Sequence, residues 1–283
     1  MDFIKELRLK WRTGSMLVRL VFVNVAIFLL LHLLAFIFGF TSIGAVRILE
    51  FVELPSDFGD FILVPWTIIT YMFSQYDFLH LLFNMLWLYW FGEIFLFADS
   101  SKRMLALYLY GGIGGGLLFM LFYSMMGMRG LIIGSSASVL AIVVATAVCH
   151  PDFKMNLLLL GEISLKWVAI VTIIIDFVSI GGSNTGGHVA HIGGAIVGLC
   201  YAMALKHGVD ITRPYCFVID RMVNLWHGAF HASRRSNAAA SSFSARSNEA
   251  DLDEILDKVR KSGYGSLTRE EKSRLFDVSR RIK

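Results

Sequence analysis

The chain has 283 residues, of which 56% are hydrophobic and only 17% charged, with a net charge of +4. A soluble domain carries about 25% charged residues and less apolar mass, so a soluble globular protein is excluded; three cysteines are too few for a disulfide framework. Mean hydropathy is +0.63, and apolar runs near the ~20 residues that cross a bilayer recur along the first three-quarters of the chain. The expected class is an all-α, polytopic membrane protein.

Residues 1–14 carry Lys5, Arg8, Lys10 and Arg12 against Asp2 and Glu6. The first span is expected over 15–40. It is too long for a signal-peptide core and has no small-residue cleavage signal before Phe40, so it reads as a retained helix. The connection 41–77 holds Glu50, Glu53, Asp57, Asp60 and Asp77 against Arg47 alone. By the positive-inside rule the N-terminus is then cytoplasmic and this connection is outside. Its apolar residues predict that it lies partly in the interface.

A second span is expected over 78–96, followed by a cytoplasmic loop with Lys102 and Arg103. The third, over 104–126, contains Gly111, Gly112, Gly114, Gly115 and Gly116, a density that lets helix backbones approach closely. No strand precedes these glycines and no Lys-Ser/Thr follows, so they are not a phosphate-binding loop. The fourth span runs from Ser135 to about His150. Lys154 and Lys166 make 151–166 cytoplasmic. The fifth covers 167–180, 181–187 is an external turn, and the sixth covers 188–205. Lys206 and His207 mark the inner exit. Cys149 and Cys200 fall near cytoplasmic ends, where thiols stay reduced; with Cys216 they read as small packing residues.

The composition then shifts. Residues 206–247 combine an amphipathic segment suited to the inner leaflet with a Ser/Ala/Arg-rich linker. Residues 248–283 read as a cytoplasmic helical hairpin whose partner the sequence does not name. Leu252, Ile255, Leu256 and Val259 recur at helical spacing, Gly263 and Gly265 interrupt, and Thr268-Arg269-Glu270-Glu271 is a capping box.

With the N-terminus inside, spans two, four and six all enter from the outer face. Their first turns carry His80 and Asn84, then Ser135, Ser136 and Ser138, then His188 and His191. Polar groups in spans are costly and usually face a bundle interior or a watery cavity. A lone histidine near a helix end is commonly an interfacial anchor, the preferred reading of His188. A lone asparagine is commonly an interhelical hydrogen bond. Together on three like-oriented helices, these residues suit acyl transfer. A serine hydroxyl needs a base to take its proton, and a neutral imidazole can take it and later give it to the leaving amine. A second imidazole, a carboxamide and a backbone N–H can hold the oxyanion. No carboxylate belongs to these motifs, so packing is expected to orient the histidine. Asp176, about two turns into span five, lies near the depth of His191. It reads either as an acid–base or water-holding group or, preferred, as a buried carboxylic acid, neutral and hydrogen-bonded.

These residues carry a resemblance. His80-Leu81-Leu82-Phe83-Asn84-Met85-Leu86-Trp87, Gly134-Ser135-Ser136-Ala137-Ser138-Val139 and Ala190-His191-Ile192-Gly193-Gly194 resemble, in order, spacing and helix parity, the rhomboid intramembrane serine proteases. Pro65-Trp66 stands before span two, as members often have it. The resemblance covers roughly residues 15–205 and implies a six-span rhomboid-like bundle. It implies Ser136 as nucleophile, His191 as base, and His80 and Asn84 as oxyanion-hole residues. The residue pattern alone does not choose Ser136 over Ser135 or Ser138. The implied substrates are transmembrane segments of other proteins, cut near the outer face after local unwinding; the other implied partner is the lipid bilayer, not nucleic acid. The constellation requires no metal or organic cofactor. Size and domain type point to a bacterial cytoplasmic membrane, and the hairpin resembles extensions on some bacterial members.

Three positions depart from the pattern. The family's Gly-x-Ser-Gly reads Gly134-Ser135-Ser136-Ala137, Leu140 stands where an aromatic often stacks on the histidine, and Thr67 replaces the basic residue that often follows the tryptophan. Ala137, Ala141 and Ala145 form one small stripe and Gly194-x-x-x-Gly198 another, which predicts close seating of spans four and six. The alternative function is a rhomboid-like factor that binds membrane clients with weak or no cleavage. A proton-relay transporter would call for inverted repeats or a mid-membrane charge pair, and the sequence has neither.

Overall fold

The computed structural model describes residues 2–38, 49–157, 161–225, 256–261, 267–268 and 270–272. In chain order these form α1 (Asp2–Thr13), α2 (Met16–Phe38), β1 (Leu54–Pro55), α3 (Phe58–Leu63) and α4 (Thr67–Thr70), which runs into a 3-10 turn, Tyr71–Phe73. Then follow α5 (Phe78–Ala98), α6 (Ser101–Met126), β2 (Leu131–Ile132), α7 (Ser136–Cys149), β3 (Lys154–Leu157), β4 (Gly161–Ser164), α8 (Leu165–Val178) and α9 (Thr185–Lys206). The architecture is all-α and multi-spanning. Residues 41–48, most of the linker and most of the hairpin lie outside the described residues.

Among the described residues, four helices are long and apolar enough to cross a membrane: Met16–Ile37, Phe78–Ala98, Ser101–Met126 and Thr185–Lys206. This corrects the six full-length spans read from the sequence. The fourth and fifth expected spans form α7 and α8, each of 14 residues. At 1.5 Å per residue such a helix covers about 21 Å, against ~30 Å of hydrocarbon. The hydropathic run before α7 is spent on non-helical chain. Leu131 and Ile132 pair antiparallel with Pro55 and Leu54 of the outer connection, and Gly134 follows at φ 142. The helix therefore starts only at Ser136. Ahead of α8, residues 161–164 pair with 154–157 as a hairpin, and the helix runs over Leu165–Val178, as short as the 167–180 expected.

Helix boundaries follow local chemistry. Asp77 caps α5 by accepting from the His80 N–H, and Ser100 caps α6 by accepting from the Arg103 N–H. Gly127, in the left-handed region, ends α6. Residues 137–147 of α7 are all buried. A helix apolar all round belongs inside a bundle, and α7 packs against α5, α6, α8 and α9.

Packing around α7 depends on missing side chains. A Cβ on Gly194 would stand 2.1 Å from the Ala137 carbonyl oxygen, and one on Gly198 would stand 2.3 Å from that of Ala141. On the other side, a Cβ on Gly115 would meet the Ala137 methyl at 2.6 Å and the Ala190 carbonyl oxygen at 2.7 Å. Backbone thus lies on backbone where α6, α7 and α9 meet.

A buried polar cluster joins α2, the outer connection and three further helices. Gln75 donates to Asn24 Oδ1 (3.1 Å) and to Ser135 Oγ (2.9 Å), and accepts from Asn84 (3.0 Å). The Tyr108 hydroxyl accepts from Asn24 (3.2 Å) and donates to the Met72 carbonyl (2.7 Å). At the other end of the bundle Tyr201 hydrogen-bonds Asp99, and Arg103 joins Asp99 (3.1 Å) to Asp210 (2.9 Å).

The chain divides into two units, 1–216 and 217–283. Within the second, residues 256–261 are helical. Thr268 and Glu271 cap one another, N–H to carboxylate at 2.7 Å and N–H to hydroxyl at 3.3 Å, and Lys258 reaches Glu271 at 2.8 Å.

Two outcomes follow from these contacts. Gly194→Ala is expected to cost about 1–3 kcal/mol in reversible unfolding in micelles, because a carbonyl oxygen in a packed helix cannot yield to the new methyl. The second concerns Asp210, beyond the end of α9. Burial pushes its carboxyl up, but the Thr212 hydroxyl and amide and Arg103 outweigh burial and hold it below the usual carboxylate range. A depressed folded-state value stabilises above the unfolded pKa of about 3.9 and loses that contribution as pH falls through the folded value. The stability gap between the parent chain and Asp210→Asn is therefore expected at neutral pH and to close below about pH 4, read by paired thermal scans.

Candidate active site

The N-terminal ends of α5, α7 and α9 face one another, with α8 alongside. Each site residue is set by its own helix start. The Asp77 cap makes His80 the third residue of α5, and Asn84 lies one turn further on, buried. The Ser135 side chain makes no capping hydrogen bond to α7; its hydroxyl accepts from Gln75 instead. Ser136 is the first helical residue, and Ser138 is buried with no partner for its hydroxyl. The structure thus separates three serines that the pattern left equivalent.

His191 projects from α9 with Nε2 2.6 Å from Ser136 Oγ. Its other ring nitrogen, Nδ1, lies 2.8 Å from Asp176 Oδ1 on α8. His188, one turn earlier on α9, places its own Nδ1 2.9 Å from the same oxygen. The two imidazoles stand edge to face, centroids 5.9 Å apart. Asp176 is 5% exposed, and its second oxygen, Oδ2, is buried without a partner. Asp176 thus lies within hydrogen-bond distance of two imidazoles, and His188, read from the sequence as an interfacial anchor, reaches inward to it. Asp176, His188 and His191 are also near enough to share a metal ion.

A cavity of about 190 Å³ adjoins this cluster. Phe83, Asn84 and Trp87 of α5, Val139, Leu140 and Val143 of α7, and Thr172 of α8 wall it, with Ser136, His191 and Asp176 at its polar side. Leu140 presents an aliphatic wall where a ring would have stacked on the base. His80 is half-buried, and a methyl added at Gly134 would meet its Cε1 at 2.8 Å. Gly134 needs its hydrogen for a second reason, since φ 142 is strained for other residues. The Asn84 amide borders the cavity, with one of its two N–H groups bonded to Gln75. Ala137, next to the serine, is the residue on which Gly115 and Gly194 close.

Comparison with known proteins gives this geometry a family. The Rhomboid domain family matches residues 64–208, just over half of the 283 residues. The chain belongs to the rhomboid family. A second family, of unknown function (DUF6576), matches residues 244–281. Among curated relatives, the chain is 29% identical over 133 residues to the mitochondrial presenilin-associated rhomboid-like protein A of Danio rerio, covering 46% of this chain and 34% of that one. It is 30% identical over 147 residues to the mitochondrial RHOMBOID-like protein 12 of Arabidopsis thaliana, covering 46% and 44%. The chain spans less than half the length of the curated relatives it matches. It is a multi-pass, membrane-embedded rhomboid-family protein, and every candidate residue from His80 to Gly198 falls inside the rhomboid match.

Two participants escaped the sequence reading. Gln75 stands in a connecting segment with no periodicity or motif around it, yet it ties Ser135 to Asn84. Tyr108 stands in the third span, where only the glycines drew notice. The signal for Asp176 was present in its depth, although nothing in the sequence aims it at His191. Replacing Gln75 with Leu leaves three buried partners, Asn24, Ser135 and Asn84, each short of a hydrogen bond. The expected cost is about 1–3 kcal/mol in the same unfolding assay, together with faster exchange of the Asn84 side-chain amide.

Proposed function

We propose that this rhomboid-family protein is an intramembrane serine endopeptidase that cuts transmembrane segments of other proteins near the outer face. The single observation that carries the reading is the 2.6 Å approach of Ser136 Oγ to His191 Nε2 beside a cavity within the bundle. In the reading, the Ser136 hydroxyl donates to His191 Nε2 and Oγ attacks the scissile carbonyl carbon as the proton passes to the imidazole. The tetrahedral oxyanion is held by His80, by the Asn84 amide and by backbone N–H groups at the start of α7. The imidazolium then gives its proton to the leaving amine as the C–N bond breaks. A water molecule, activated by the same base, releases the acyl group from Ser136. A substrate helix must unwind first, because its peptide groups are hydrogen-bonded and shielded. Gly134, Ala137, Gly194 and Gly198 serve the site by setting helix spacing.

The topology we propose is six crossings of bacterial type, α7 and α8 being short ones, with both termini in the cytoplasm of a bacterial inner membrane. Residues 15–205 form the membrane domain. Residues 206–247 act as an interfacial segment and linker, and 248–283 as a cytoplasmic appendage.

A second reading is a rhomboid-family factor that binds membrane clients and cleaves weakly or not at all. Family membership and membrane embedding suit it equally. One observation favours it: one of the two Asn84 amide N–H groups is bonded to Gln75, which leaves that amide a single N–H for an oxyanion.

Cleavage of a model transmembrane substrate in proteoliposomes decides between them, with wild type beside Ser136→Ala and His191→Ala. The protease reading expects cleavage by wild type alone and fluorophosphonate labelling that Ser136→Ala abolishes. Client binding without labelling or cleavage supports the second reading.

A further inference from the structure

We propose that Asp176 is a positioning residue for His191, that His188 clamps it in place, and that the site works as a Ser136–His191–Asp176 chain. This rests on the protease reading above. It goes beyond the two-residue arrangement that the sequence resemblance implied.

The first support is the connectivity. Ser136 Oγ, His191 Nε2, His191 Nδ1 and Asp176 Oδ1 follow one another at 2.6 Å across the first gap and 2.8 Å across the second. A neutral imidazole has one N–H and one lone pair, and its tautomer is set by the partner of the other nitrogen. A carboxylate at Nδ1 holds the proton there and leaves the Nε2 lone pair facing the serine hydroxyl. With no acceptor at Nδ1, the tautomer bearing its proton on Nε2 competes, and in that form His191 cannot take the serine proton.

The second support is the helix that carries the acid. On α8 only Leu165, Ala169 and Asp176 are buried, while Ile174, Ile175, Phe177 and Val178 around the acid are exposed. A helix that buries so little has small use for a carboxylate as packing, and a buried acid without partners is costly. Asp176 instead points its one bonded oxygen at two imidazoles of α9.

The third support is the role left for His188. Its Nδ1 reaches the same Oδ1 at 2.9 Å, so α9 grips the carboxylate from two consecutive turns. Because Oδ2 has no partner, these two N–H groups are the hydrogen bonds that orient Asp176. Leu140 supplies no ring to stack on His191, so a hydrogen-bonded clamp does the orienting that packing would otherwise do.

The test uses the full chain in proteoliposomes with a transmembrane substrate, resolving kcat from KM for wild type, Asp176→Asn and His188→Gln. Asp176→Asn is expected to lower kcat by about 10²–10⁴, with KM changed by less than about threefold. His188→Gln is expected to lower kcat by about tenfold in the wild-type background and hardly at all beside Asp176→Asn, as for members of one network. A second measurement needs no turnover: the downfield imidazole N–H proton resonance, read in folded Ser136→Ala. It is expected to be present there and lost when Asp176→Asn is added. An active wild type with Asp176→Asn retaining kcat within about threefold, or a downfield signal that survives Asp176→Asn, overturns this proposal alone. A wild type that neither cleaves nor labels overturns the protease reading itself.

Discussion

The contact on which the rest depends is the seating of α9 on the backbone of α7. Gly194 lies against the Ala137 carbonyl with no room for a methyl, and Gly198 repeats the contact one turn deeper. Gly194 is three residues beyond His191, and Ala137 is one residue beyond Ser136. The closest approach of the two helices is therefore within a turn of the point where hydroxyl meets imidazole. In lipid, helix association gains little from the hydrophobic effect and rests on close packing and interhelical hydrogen bonds. Small residues at the seam make the first possible and bring the donors and acceptors near enough for the second.

Close packing of apolar helices creates a second demand, since every polar group drawn inside needs a partner. Asn24, Gln75, Asn84, Tyr108 and Ser135 meet it by bonding one another across α2, the outer connection, α5, α6 and α7. Satisfied buried networks of this kind specify one arrangement more firmly than apolar contacts do. Here the network also decides which serine is left over. Ser135 is engaged, Ser138 is sealed among small residues, and Ser136 alone faces an imidazole.

The short α7 has a physical consequence for the site. It begins at Ser136, and the contact with His191 sets that first residue level with a point about one and a half turns into α9. The connection that delivers it is held by the β1–β2 pairing and by the Gly134 N–H bonded to the Tyr71 carbonyl. Backbone away from regular helix is tolerated at such depth only when protein supplies its hydrogen bonds, and these contacts supply them.

Much of this was legible in the residues. Hydropathy marked the apolar runs, glycine and alanine spacing marked the close seam, and helix parity carried His80, Asn84, Ser136 and His191 toward one end. Those features are local: each depends on the order of side chains along one helix. The choice among three serines, the engagement of Gln75 and the convergence of His188 and His191 on Asp176 were not legible. They depend on which faces of separate helices meet, and on how much of an apolar run is spent on pairing and turns before a helix begins. Periodicity within one segment has no access to a distance between two, so the sequence by itself determined the class of protein and the set of candidates. The packing of α6, α7, α8 and α9 decided which candidates touch.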